Sequence, residues 1–221
     1  MSKTAVPQVV LTILIGVLPA WSVVSGQTPE RSRTQGIKET NQFLKAGQAT
    51  SQAVSDGKLQ MQNTLQAYHA LVTQPSKDMK GDYKKLMKAM DVMNEKVADA
   101  RAKVDAMQKS GDTYFSGRAE TLKGIQDADL QRQAQDRLTQ NKKDFSAVED
   151  ALREGGRALE PFRKQLADQI TYLGSDLNAS ATASLKPQAD KLNAQATEVF
   201  GKVDEATAKA NSYFQSLRPE S

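Results

Sequence analysis

The chain has 221 residues, with 30 lysines and arginines against 26 aspartates and glutamates, no cysteine, one histidine, and aromatic residues at 5%. The missing cysteine excludes disulfides, thiolate metal sites, cysteine nucleophiles and cysteine-linked lipid anchors, and one histidine cannot build a paired-histidine metal site. A formal charge of +4 and a hydrophobic share of 38% leave the fold class to be read from periodicity, though scarce aromatics and prolines already favour long helices around a thin core.

Residues 1–26 read as an export signal. Lys3 makes the start positive, residues 9–18 are apolar, and Val24-Ser25-Gly26 places small residues ahead of a cleavage point before Gln27. The alternative is an uncleaved anchor, because apolar character continues through Pro19, Ala20 and Trp21. The run is shorter than the roughly 20 residues that span a bilayer comfortably. Either way the rest of the chain is expected outside the cytoplasm, as a periplasmic or secreted protein if the signal is cleaved and as a membrane-anchored one if it is not. Residues 27–34, polar and with Pro29, are expected to be a flexible leader.

From residue 35 to residue 218 the spacing predicts one helical-bundle domain. In the first helix Ile37, Thr40, Leu44, Gly47, Ser51, Val54, Lys58, Met61, Leu65, Tyr68 and Val72 recur at alternating intervals of four and three. This seam is weak, since Thr40, Gly47, Ser51 and Lys58 are poor core residues. They mark a thin or exposed section, or a close approach of backbones at Gly47. Pro75 ends the helix and Ser76 is placed to cap the next. The second seam is cleaner: Tyr83, Leu86, Met90, Met93, Val97, Ala100, Val104, Met107, Gly111 and Tyr114 keep the same intervals. Charges such as Asp91, Glu95, Lys96, Asp99 and Arg101 are interleaved between them, as on a solvated helix face.

Lys123-Gly124 stops the second helix, and Asp127 caps a third that starts near Ala128. Its stripe includes Leu138, Asn141, Phe145, Val148, Leu152, Gly155, Leu159, Phe162 and Leu166. Gly155, Gly156 and Pro161 predict a kink, or a full break into two helices. Residues 178–184 read as a joint, with Ser184 as cap and Pro187 in the first turn of the last helix. There Leu185, Ala189, Leu192, Ala196, Val199, Val203, Ala206, Ala210, Tyr213 and Leu217 form an unbroken seam. The expected fold is all-α: an elongated antiparallel bundle of about four long helices with coiled-coil-like heptad packing.

Several residues in this last stretch carry a resemblance. Phe162, Tyr172-Leu173, Leu177-Asn178-Ala179, Ala183-Ser184-Leu185 and the alanine-rich close from Ala206 to Phe214 resemble the C-terminal half of the bacterial family known as domain of unknown function 2959. Asp82-Tyr83-Lys84-Lys85-Leu86 is similar to its middle. The resemblance implies an exported, coiled-coil-rich bacterial protein and brings no activity, ligand or catalytic residue with it. Many members start with a lipoprotein-type signal ending in cysteine; this chain has none, so a lipid anchor is not carried over.

No constellation points to catalysis, a cofactor or a metal. His69 stands alone beside Tyr68. The acid pairs Asp127 with Asp129, Glu149 with Asp150, and Asp204 with Glu205 are explained by helix starts and exposed flanks. Lys77, Lys80, Lys84, Lys85 and Lys88 form a basic run diluted by Asp78, Asp82 and Asp91, a solvated face rather than a nucleic-acid surface. Asn178-Ala179-Ser180 matches a glycosylation acceptor, but its chemistry serves a turn.

The expected role is therefore that of an exported structural or protein-interaction bundle of the bacterial cell envelope. It is not expected to be an enzyme or to bind nucleic acid. Its partner is an unknown protein or a second copy recruited through the heptad seams, with peripheral contact to membrane or envelope, and Thr40, Gly47, Ser51 and Lys58 are the candidate partner-binding strip. The alternative is an envelope-associated protein binding an apolar or anionic small ligand between its helices, with the methionine-rich second seam as lining.

Overall fold

A computed structural model describes residues 29–218 as four helices: α1 (Pro29–Thr73), α2 (Met79–Leu122), α3 (Ala128–Ser175) and α4 (Ala179–Ser216). The expected export signal over residues 1–26 lies outside the described residues. Contacts run α1–α2, α2–α3, α3–α4 and α4–α1, closing a ring of four antiparallel seams as the heptad spacing predicts. At 1.5 Å rise per residue, the 48 residues of α3 span roughly 70 Å.

Capping residues set the boundaries, in two places against expectation. Asp127 caps α3 as expected, accepting from the Leu130 N–H at 2.8 Å. At α2 the cap is Asp78 rather than Ser76: the Asp78 carboxylate accepts from the Gly81 N–H, while the Ser76 hydroxyl accepts from the Asp78 N–H and donates to Asp82. At α4 the cap is Asn178 rather than Ser184. Its side-chain oxygen accepts from both Ser180 and Ala181 N–H groups at 2.9 Å, two orphan donors satisfied by one residue. The expected joint over residues 178–184 thus shrinks to residues 176–178, and Pro187 falls inside the helix.

Two further expectations change. α1 begins at Pro29, so residues 29–34 are helical rather than a leader; a proline suits the first helical position, where its missing N–H has no intrahelical acceptor. α3 runs through Gly155, Gly156 and Pro161 as one helix, so the chain does not divide there. A proline forfeits one backbone hydrogen bond, whereas Phe162, Leu166, Ile170 and Leu173 beyond it are all buried, and their packing keeps the helix continuous.

The core is in two parts. At the end carrying the α1–α2 and α3–α4 turns, Met61, Tyr68, Leu86, Met93, Leu166 and Leu192 lead one cluster. At the end where α1 begins, a second cluster gathers around Phe43, whose ring stacks on Tyr114 at 4.9 Å and meets Phe145 and Phe214 edge-on at 4.9 and 5.0 Å. Ring pairs at such distances add to the burial of their area.

α1 and α2 approach through small residues. Thr50, Gly57 and Thr64 sit seven apart and buried, and the Thr50 and Thr64 hydroxyls reach the Lys103 and Ala89 carbonyls of α2 at 2.9 and 3.1 Å. The buried hydroxyls are therefore satisfied where the backbones come close.

Candidate functional site at the waist of the bundle

Between the two clusters the bundle has a waist built from small residues on all four helices: Gly57, Ala100, Gly155 with Gly156, and Ala206. They surround an apolar cavity of about 70 Å³ whose wall also includes Val54, Val97, Leu152, Leu159 and Val203. A methyl group would fit at each glycine. One at Gly57 or Gly155 would come no nearer than 3.6 or 3.7 Å to any neighbour, and one at Gly156 would meet nothing within 4 Å.

Ion pairs between helices surround this waist. Lys58 joins Asp204 across α1 and α4, Lys96 joins Asp56 across α1 and α2 at 3.7 Å, and Arg101 joins Glu160 across α2 and α3. Glu160 also accepts from Arg163 at 2.6 Å, and its hydrogen bonds with Arg163 and then Arg101 hold the carboxyl below the usual range. The Arg163 Nε, by contrast, is buried without a hydrogen-bond partner. On the α2–α3 side the waist opens into a groove of about 360 Å³ that shares Arg101, Val104, Leu152, Gly156 and Glu160 with the cavity and adds Asp105, Arg153 and Arg157.

The candidate partner strip lies along the inside of the same seam. Thr40 is half-buried and its hydroxyl donates to the Gly36 carbonyl. Gly47 is buried, and a Cβ there would overlap the Phe214 ring, so the close approach expected at this glycine is made by a side chain. Ser51 is buried with its hydroxyl unpartnered. Lys58 lines the waist cavity and bridges to Asp204. Gly47 and Lys58 thus face α4 of the same chain, at Phe214 and Asp204.

The methionines do not line the cavity: Met61, Met90 and Met93 belong to one cluster and Met107 to the other. His69 pairs with Asp190 across α1 and α4 at 3.1 Å. Lys77, Lys80, Lys84, Lys85 and Lys88 are all exposed, and Lys85 pairs with Asp82. Asp129 pairs with Arg132. Among the described residues no group of three or more histidines and carboxylates is placed to hold a metal ion, and no helix is long and apolar enough to cross a membrane.

Spacing alone does not reveal the arginine-lined groove, because Arg101, Arg153 and Arg157 look like any solvated flank until α2 and α3 are brought together. Gly155 and Gly156 carried a signal, but for room in the waist rather than for a break.

Against known families, a model described as a protein of unknown function, DUF2959, matches residues 30–217. The chain belongs to the DUF2959 family. The match spans all four helices, so the DUF2959 region and the bundle coincide. No curated protein and no solved structure matches it.

Proposed function

We propose that this DUF2959 protein is an exported, non-catalytic bundle of the bacterial cell envelope that acts by structure and by contact with another protein. The observation that carries the reading is where its polar side chains go. Among the described residues the ion pairs run along a helix, as Lys85 with Asp82 and Arg157 with Glu154, or between neighbouring helices, as Lys58 with Asp204 and Arg153 with Asp105, which is what a structural bundle needs. The charge pattern of residues 1–26 supports export.

Fractionation of cells expressing a C-terminally tagged chain tests the location. A tagged product in the periplasm whose first residue is Gln27 supports a cleaved signal. A product retained in the cytoplasm contradicts the proposal.

Recruitment through α1 requires α4 to move aside, since Gly47 meets Phe214 and Lys58 bridges to Asp204. Lys58→Leu and Ser51→Leu strengthen self-closure and weaken recruitment under this reading, whereas leucine at Gly47 disrupts closure through Phe214. Unchanged recruitment by the Lys58→Leu variant removes the strip from the proposal. A second reading, binding of a small apolar or anionic ligand, is favoured by one observation, the waist cavity.

A further inference from the structure

The waist combines three features that packing alone does not require. Each glycine in a helix interior costs about 1 kcal/mol relative to alanine, yet Gly57, Gly155 and Gly156 remain at positions where a methyl would fit. The space they leave is apolar and partly open, at about 70 Å³, roughly half the ~150 Å³ of a cavity that admits benzene. It is too small for a ring and wide enough for the end of an alkyl chain. The adjoining groove of about 360 Å³ gives room for the rest of such a chain.

The groove's charge selects the head. Arg101 and Arg163 share Glu160, Arg153 faces Asp105 and Arg157 faces Glu154. Of these, Arg101, Arg153 and Arg157 line the groove against Asp105 and Glu160, while Arg163 lines the adjoining cavity, where its Nε is buried without a partner. Glu149, one turn from Arg153, does not line the groove. A planar guanidinium fork binds oxyanions through two parallel hydrogen bonds.

We propose that the waist of the bundle binds a single-chain anionic amphiphile, with the end of its alkyl chain in the glycine-lined cavity and a carboxylate, sulfate or phosphate head among Arg101, Arg153 and Arg157. This rests on the small-ligand reading above and names its class and its place.

Thermal melting and calorimetric titration of the purified chain test it, with octanoate, octyl sulfate and octyl phosphate below their micelle concentrations, and octanol and octyltrimethylammonium as neutral and cationic controls. The anions raise the melting temperature by binding only the folded state. Arg101→Gln weakens octanoate about tenfold, the loss of a charge-assisted hydrogen bond, and leaves octanol unchanged. Gly156→Ala melts higher without ligand and binds octanoate about fivefold or more weakly, because the methyl takes the chain's space. The opposed signs separate a filled site from a damaged fold. Preference for one anion identifies whether carboxylate, sulfate or phosphate is the source.

Equal binding of anionic and cationic amphiphiles, or full affinity in the Gly156→Ala variant, overturns the proposal. A rise in melting temperature with total lipid extract but with none of the three anions overturns the amphiphile class and leaves the small-ligand reading standing. No response to extract or anions removes both.

Discussion

Phe43 does at one position what several seam residues share elsewhere. It is fully buried and touches Tyr114, Phe115, Phe145, Tyr213 and Phe214, so Phe43→Ala leaves a cavity that five rings border. The expected loss in urea denaturation is about 3–5 kcal/mol. Ile37, a seam residue by spacing, is 64% exposed, and Ile37→Ala is expected to stay within about 0.5 kcal/mol. Two carboxyls give opposite pH signatures. Burial pushes the Glu149 carboxyl above its usual value, so the folded state holds that proton more tightly than the unfolded one. The associated stability is complete below the ordinary carboxyl range and is lost as pH rises through the raised value. Glu149→Gln is therefore expected to stabilise the protein at neutral pH and to lose that advantage in acid. Glu160, held low by Arg163 and Arg101, contributes above the ordinary range and loses its contribution as pH falls through its lowered value. Glu160→Gln costs stability at neutral pH and costs less in acid, in melts recorded across both ranges.

Among the elements, α2 and α4 were the most legible in sequence, because each presents one apolar residue per turn at strict spacing and most of those residues are buried from Leu86 to Tyr114 and from Leu185 to Tyr213, with Val97, Ala100 and Val199 half-buried. α1 was read in part: Gly47, Ser51, Met61, Leu65, Tyr68 and Val72 are buried on the expected stripe, but a neighbouring stripe was missed. Phe43, Thr50, Gly57, Thr64 and Leu71 lie seven apart and face the interior, but two threonines and a glycine do not register as apolar, although they are what lets α1 approach α2. Phe200 and Phe214 escaped for a related reason: a helix in a four-helix ring buries a wider face than a two-position seam. The waist was legible only as an interruption, since glycines and a proline announce a break unless tertiary packing overrides them. Pro161 is exposed in the interior of α3. Pro161→Ala is expected to raise stability by about 2 kcal/mol, the restored hydrogen bond offset by a freer unfolded chain. At the other kind of boundary, Asn178→Ala removes both cap bonds of α4 and is expected to cost about 1 kcal/mol. Both are read from equilibrium unfolding.

At the scale of the whole molecule, two cores separated by a waist of small side chains divide the stability of one continuous bundle. Amide exchange is expected to be slowest in two bands, around Met61 and Leu166 and around Phe43 and Phe145, with faster opening around Gly57 and Gly155 between them. Uniform protection along α1 and α3 would contradict a soft waist. The ring of seams also limits how a partner is engaged, because each helix spends its apolar face on its neighbours and leaves its charged flank outside. Under the proposed role, contact with another protein falls to those flanks, or to α1 when α4 moves aside. Cross-linking the tagged protein in intact cells, with mass spectrometric identification of what it holds, tests the proposed role most directly. A reproducible link from α1, near Lys45 or Lys58, to one other envelope protein is the predicted result. Links confined to the chain itself, with no second protein recovered, would contradict it.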